Sequence, residues 1–187
     1  MATANVSPGR ATVNGFMVPR MTPGPSVAHR KSCTYAGGML EIRFAHDGDA
    51  ATILAFVRAL AEYEKMPHAV EVDEATLSAQ LRSPAPPFEC LLAEDAGRAV
   101  GFALIFHTYS TWRGRRGIWL EDLFVLPDQR RNGVGRALLD RVLSLAKERR
   151  CGRVEWSVLD WNQPAIDFYR GYGADLLEEW RICRMSL

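Results

Sequence analysis

Cysteine is scarce in this 187-residue chain, and so are long apolar runs. The four cysteines stand far apart with no CxxC pair, which excludes both a zinc-ribbon pattern and a dense disulfide framework. This usage is typical of a reducing compartment, so we expect a cytoplasmic protein. No stretch approaches the roughly 18 apolar residues of a membrane helix, and we expect no membrane partner.

Excess charge of either sign is also missing, since the formal net charge is +1. The first 40 residues hold four basic residues and no acid, which leaves 19 basic against 22 acidic residues, or about −3, in the remainder. Binding to phosphate backbones needs clustered Lys and Arg, so nucleic acid is not an expected partner. Histidine and cysteine form no cluster either, so we expect no metal.

The first 38 residues differ from the rest of the chain. Pro and Gly interrupt each short apolar stretch and no period is sustained, so the sequence predicts a flexible N-terminal extension over residues 1–38. This segment is basic and free of acids, and an organelle transit peptide is one interpretation, although its prolines disfavour the helix that such peptides form. An extension without function and an upstream start before Met39 are the alternatives. Residues 39–187 are long enough for one domain with its own core.

Beyond Met39 the apolar pattern is regular. Asp47 or Asp49 can cap the first helix and Asp73 the second. Alternation predicts strands at 40–45, 88–93, 99–107, 118–125, 154–158 and 176–185, and 3.6-residue periodicity predicts helices near 50–65, 73–83, 134–146 and 164–172. This order is typical of a mixed α/β fold with a large antiparallel share.

Two acids interrupt the most apolar of these strands. Glu121 and Asp122 stand in the middle of residues 118–125, and acids inside an apolar strand usually have a task or a partner. By strand alternation Asp122 points away from Glu121 unless a bulge intervenes.

A glycine turn follows that strand. Residues 130–135 read RRNGVG and precede a helix, an arrangement in which close backbone approach and free N–H groups can bind phosphate. A Walker loop is absent from the sequence. A dinucleotide fingerprint is disfavoured, because Leu138 replaces its third glycine and the six residues 127–132 intervene between the strand and Gly133.

This turn resembles a known family. Arg130-x-x-Gly133-x-Gly135 is similar to the pyrophosphate loop, (Gln/Arg)-x-x-Gly-x-(Gly/Ala), of the GNAT superfamily of N-acetyltransferases. The resemblance extends over roughly residues 41–187. It implies the GNAT fold, in which helices flank a mixed, mostly antiparallel sheet with a splayed central strand.

Three further blocks resemble the subgroup of diamine and thialysine N-acetyltransferases related to spermidine/spermine N-acetyltransferase. They are residues 60–66 (LAEYEKM), 118–125 (IWLEDLFV) and 162–169 (NQPAIDFY). Relatives commonly have tyrosine where this chain has Trp119, a change expected to affect packing more than chemistry. The segment 112–117 looks about one residue longer than in some polyamine enzymes, so an acceptor contact is not carried over to Trp112.

The resemblance implies roles for the acids and for one phenol. Glu121 would act as the base through water, with an ion pair to Arg115 or Arg116 as the structural alternative. Tyr63, Glu64 and Asp122 would bind the acceptor cation, although solvated or structural roles are the alternatives. Tyr169, two turns beyond a capping Asn162 and on the same helix face, would protonate the departing thiolate.

The resemblance also implies how acetyl-CoA is bound. The main chain of Leu123, Phe124 and Val125 would pair with the pantetheine, and one N–H would polarise the thioester. Asn162 would offer its amide to the same arm, while Phe168 and Tyr172 are expected to pack. The residues expected at the phosphates are Arg130, Arg131, Asn132, Gly133, Val134, Gly135 and Arg136.

We therefore expect an acetyl-CoA-dependent N-acetyltransferase that acts by direct attack on a primary amine of a small cation. Diamines, polyamines and lysine-like amino acids are the candidates, since the acids at 64, 121 and 122 favour a cation. A protein amine acetyltransferase and an inactive coenzyme A-binding regulatory module are the alternatives. The resemblance also implies a homodimer formed through the final strand and neighbouring helices.

Overall fold

The computed structural model describes residues 31–35 and 38–186, with side chains described from Leu40 onward. Over these residues the chain forms a six-stranded sheet and four α-helices. In chain order the elements are β1 (Lys31–Tyr35), β2 (Gly38–Phe44), α1 (Ala50–Tyr63), α2 (Glu74–Arg82), β3 (Glu89–Asp95), β4 (Arg98–Ser110), β5 (Arg115–Val125), α3 (Val134–Glu148), β6 (Val154–Glu155) and α4 (Gln163–Arg170).

The strands lie side by side in their chain order, from β1 to β6. Neighbours are antiparallel except for β5 and β6, which are parallel because α3 carries the chain back across the sheet. The predicted mixed, mostly antiparallel sheet flanked by helices is therefore confirmed.

Helices cover both faces of the sheet, and the side chains of β3 contribute to the apolar core on each face. Leu91 and Ala93 join the core beneath α3, whereas Cys90 and Leu92 join the core beneath α1 and α2. Successive side chains of a strand point to opposite faces, so a continuous apolar run supplies both cores. The acids of β5 therefore lie in a sheet that is buried on both sides.

The helix starts agree in part with the predicted caps. Asp73 caps α2, since its Oδ1 accepts a hydrogen bond of 2.8 Å from the backbone N–H of Thr76. Asp49 precedes α1 but makes no capping bond to it. Its carboxylate instead binds the guanidinium of Arg43 on β2, at 2.8 Å, because a buried acid needs a charged partner.

The prediction of a closing strand over residues 176–185 is wrong. No strand forms within residues 176–186, and β6 contains two residues instead of the predicted five. The apolar side chains of the last segment are exposed, with 65% of Trp180 and 73% of Ile182 open to solvent. Alternation defines the two faces of a strand, but a strand also needs an edge to pair with, and the short β6 offers almost none.

The sheet begins earlier than predicted. β1 lies inside the segment expected to be an extension, and it pairs antiparallel with β2 from Lys31 opposite Ile42 to Tyr35 opposite Gly38. Residues 1–30 lie outside the described residues. Within the described part of the chain, no helix has the length and apolar character needed to cross a membrane.

Deleting residues 1–30 is expected to leave the melting temperature within about 2 °C of the full chain, because their sequence has no periodic apolar face. Deleting residues 1–37 also removes β1, and the lost pairing with β2 should lower the melting temperature by a further several degrees, since 1 kcal/mol corresponds to about 2–4 °C at this size. Calorimetry of both truncations measures this. A large loss on the shorter deletion would show that residues 1–30 dock on the domain.

Candidate active site

A β-bulge in β5 positions the two acids. Asp122 pairs with Leu104 of β4 and Leu120 pairs with Ile105, so Glu121 is the extra residue between two paired positions. Leu120 packs in the core beneath α3, while Phe124 packs in the core beneath α1. Alternation places Asp122 on the same face as Phe124, which is also the face of Glu121. Both acids therefore face α1, the arrangement that the sequence left open.

Glu121 is exposed, and its carboxylate has an aromatic partner. The indole Nε1–H of Trp119 donates to Glu121 Oε2 at 2.7 Å. Neither Arg115 nor Arg116, the alternative partners considered from the sequence, forms an ion pair with Glu121 in the described structure. Sequence reasoning missed this bond, although residues two apart in a strand share a face and can signal such a contact.

Asp122 is more enclosed than Glu121. Burial, together with the negative charges of Glu121 and Glu64, raises the pKa of Asp122 to about 7. Glu64 follows directly on the last turn of α1, and burial raises its pKa as well. Three carboxylates from two elements thus share one partly desolvated region, which favours a bound cation.

Tyr169 of α4 lies close enough to this region for the negative charge to act on its phenol. Burial raises the pKa of Tyr169 to about 12, and the charge of Glu64 contributes. Its ring packs against Trp156 with centroids 4.8 Å apart. The phenol therefore keeps its proton at neutral pH and can donate it. Glu64 acts electrostatically on both Asp122 and Tyr169, so it connects the acids with the phenol.

Tyr63 ties the end of α1 to the start of α4. Its Oη donates to Asn162 Oδ1 at 2.9 Å, and the same Asn162 oxygen caps α4 by accepting from Ala165 N at 3.4 Å. The capping role expected of Asn162 is thus present. The Tyr63 hydroxyl, expected at the acceptor entrance, is used here to join the two helices.

A cleft of about 290 Å³ opens between the end of β5, the glycine turn and α4. Gly133, which precedes α3, has φ 86° and ψ −2°, a left-handed conformation that favours glycine. Phe168, expected only to pack, also lines the cleft, a role that its position on α4 did not reveal. The lining residues are Val125, Arg130, Arg131, Gly133, Gly135, Arg136 and Phe168.

Arg130 connects this turn to the end of β5. Its Nε donates to the carbonyl oxygen of Val125 at 3.1 Å, and its guanidinium lies over the rings of Tyr63 at 4.8 Å and Phe124 at 5.8 Å. Arg136 lies over the ring of Tyr172, 5.1 Å from its centroid. The lining of the cleft is therefore cationic, as a phosphate ligand requires.

Not every residue expected at the coenzyme presents its side chain there. Phe124 and Val134 are 4% and 1% exposed, so they can contribute only main-chain groups. Leu123 packs partly buried against the core beneath α3, and Asn132 is half-buried within the turn.

Comparison with known proteins identifies the family of the chain. Residues 52–174 match the Acetyltransferase (GNAT) family. The chain belongs to this family. The fold and the enzyme class predicted from the sequence, an acyltransferase of the GNAT type, are therefore confirmed.

Among named GNAT relatives, the thialysine N-epsilon-acetyltransferase of Bos taurus is 38% identical over 146 residues, which cover 74% of this chain and 85% of that protein. The human spermidine/spermine N(1)-acetyltransferase-like protein 1 is 34% identical over 156 residues, 78% of this chain and 22% of that one. A solved aminoglycoside acetyltransferase from an uncultured soil metagenomic sample superposes with a TM-score of 0.67 at 19% identity, covering 79% of this chain and 96% of the other, and shares the fold.

Substituting Gly133 with Val is expected to weaken acetyl-CoA binding by about tenfold or more, because a β-branched residue is strained at this positive φ and the turn must change shape. Gly135→Ala is the matched control. A Cβ there finds ordinary contacts, the nearest with Val125 Cγ2 at 3.7 Å, so a smaller loss is expected. Titration calorimetry with acetyl-CoA measures both, and unchanged affinity in Gly133→Val would remove the turn from the site.

Proposed function

We propose that the protein transfers an acetyl group from acetyl-CoA to a primary amine of a small cation, such as a diamine, a polyamine or a lysine-like amino acid, by direct attack. The observation that carries the proposal is the convergence of Glu64, Glu121 and Asp122 on the α1 side of the bulge. Such a region attracts a cationic amine and repels anions.

The coenzyme end of the site supports the same proposal. The cleft beside β5 combines a left-handed glycine with the guanidinium groups of Arg130, Arg131 and Arg136. This combination of groups fits the phosphates of coenzyme A, which supplies the activated acetyl group as its thioester. The backbone at the end of β5, from Leu123 to Val125, lies beyond the residues that pair with β6 and would hold the pantetheine.

The chemistry requires two proton movements. An alkylamine has a pKa of about 10.4 and is mostly protonated at pH 7, so a carboxylate of the acid pair must accept a proton before attack. The departing sulfur then needs a proton, which Tyr169 can give because its raised pKa of about 12 keeps the phenol protonated. Tyr63 and Asn162 hold α4, and thereby Tyr169, against the end of α1.

The names of the relatives support the substrate class. The bovine relative is named for thialysine and the human one for spermidine and spermine, and both names denote small amines. Identity over most of this chain makes a related acceptor the best-supported choice.

An assay of thiol release with a panel of acceptors tests the function. We expect kcat/KM for diamines, polyamines or lysine-like amino acids to exceed that for a lysine-containing peptide by at least about tenfold, since three carboxylates favour a compact cation. Preference for the peptide would support the protein-amine alternative. Tight acetyl-CoA binding without turnover on any amine would indicate a regulatory module and would contradict the proposal.

Tyr169→Phe removes one hydroxyl and keeps the ring that packs on Trp156. If Tyr169 protonates the thiolate, kcat should fall by about 100-fold or more while acetyl-CoA affinity stays within a few-fold. Tyr172→Phe is the matched control, because burial also raises the pKa of Tyr172 to about 12 but its hydroxyl binds Arg136 O and Asp140 at 3.1 Å each. Equal kcat losses in the two variants would remove Tyr169 from the chemistry.

We also propose that the protein is a homodimer in the cytoplasm. The exposed apolar side chains of the last segment, with Trp180 and Ile182 among them, support burial against a second copy. The sparse, widely spaced cysteines support the compartment.

Analytical ultracentrifugation of the full chain tests the assembly. We expect a dimer in the wild type and a monomer in a Trp180→Glu, Ile182→Glu variant, since buried charges would oppose the contact. A wild-type monomer at micromolar concentration would contradict the proposal.

A further inference from the structure

The two acids of the bulge differ in their hydrogen bonding. Glu121 is exposed and accepts the 2.7 Å bond from the indole N–H of Trp119. A charge-assisted hydrogen bond of this length restricts where the carboxylate can lie. The Trp119 ring itself packs at a tilt against the ring of Phe106, with centroids 6.4 Å apart. The Glu121 carboxylate is therefore held in one position at the site.

Among the described residues, Asp122 has no such donor and no ion-pair partner. The charges that act on it are those of Glu121 on its own strand and Glu64 at the end of α1, and the titratable group facing it from β3 is the buried thiol of Cys90. No Lys or Arg of the described residues forms an ion pair with Asp122.

The cations of neighbouring elements are engaged elsewhere. The ammonium of Lys65, beyond α1, lies 5.0 Å from the ring centroid of Trp161, and Arg130 is bound to Val125 O. The positive partner that Asp122 lacks in the described part of the chain is the charge that an acceptor ammonium would bring.

We propose that Asp122, rather than Glu121, accepts the proton of the acceptor ammonium, and that Trp119 is a positioning residue that holds Glu121 as a fixed anion beside it. This inference rests on the proposed function and assigns the base within it. It differs from the role expected of Glu121 from the family resemblance.

The electrostatics agree with this geometry. Burial and the fixed charge of Glu121 raise the pKa of Asp122 to about 7, close to the pH at which the enzyme would work. A base whose pKa lies near the working pH is present in its ionised form and still binds a proton strongly enough to be useful.

The protons of the reaction balance. Asp122 takes one proton from the ammonium, and the freed nitrogen lone pair attacks the thioester carbonyl carbon to form the C–N bond. The nitrogen then loses a second proton as the C–S bond breaks, and Tyr169 protonates the thiolate. One of the two nitrogen protons restores the phenol and the other leaves to solvent, so the turnover releases one proton.

The test is the pH dependence of kcat and kcat/KM for the best small amine, in the wild type and in Asp122→Asn. Because the base must be ionised, wild-type kcat/KM should fall as the pH falls through about 7. Asp122→Asn should lower kcat by about 100-fold or more and remove this acidic limb. An Asp122→Asn variant that keeps its kcat and only raises the acceptor KM would overturn the assignment, because Asp122 would then only bind the cation.

Glu121→Gln removes the neighbouring negative charge, so Asp122 should titrate lower and the acidic limb should move to lower pH. Trp119→Phe keeps the ring on Phe106 but deletes the N–H, so Glu121 can turn away and the limb should move in the same direction by less. A limb that disappears in Glu121→Gln and persists in Asp122→Asn would assign the base to Glu121. A limb that stays in place in Trp119→Phe would overturn the positioning role.

A second acceptor whose amine has a lower pKa separates chemistry from damage to the fold. Deprotonation of such an amine depends less on the base, so the kcat deficit of Asp122→Asn should be smaller with it. A misfolded site would instead lower kcat equally with both acceptors. Failure of the proposed function is distinguishable as well, because the wild type would then acetylate no small amine at any pH.

Discussion

The extra residue in β5 is the constraint on which the site depends. With regular pairing, Asp122 would share a face with Leu120 and lie in the apolar core beneath α3. The bulge shifts the alternation by one residue, so Asp122 and Glu121 both face α1 while Phe124 returns to the core beneath that helix. A local irregularity of backbone pairing thus converts two adjacent acids into one anionic region.

The two halves of the site are physically connected. Arg130 belongs to the glycine turn, yet its guanidinium lies on the ring of Tyr63 from α1 and its Nε binds the end of β5. Tyr63 in turn binds Asn162, which caps the helix that carries Tyr169. One arginine and one tyrosine thus connect the glycine turn with the end of α1 and with the helix that carries Tyr169.

The local signals of the sequence predicted the parts of the structure that depend on local physics. Asp73 caps its helix through a side chain three residues from its partner, and the glycine turn lies between a strand and a helix. Features that depend on a partner distant in sequence were not predictable in the same way. Whether Glu121 or a neighbour forms the bulge is decided by the register with β4, and residues 176–185 show a strand pattern without an edge to pair with. The bond between Trp119 and Glu121 follows from shared facing, but only the structure fixes its geometry.

If the bulge places a desolvated Asp122 where an amine cation binds, the Asp122 carboxyl should titrate accordingly. NMR titration of its carboxyl carbon, assigned by comparison with Asp122→Asn, measures this. We expect a titration near pH 7 in the free enzyme and a shift to lower pH when a diamine binds, because the cation stabilises the ionised carboxylate. Titration near the ordinary value of 3.8, unmoved by the diamine, would contradict it.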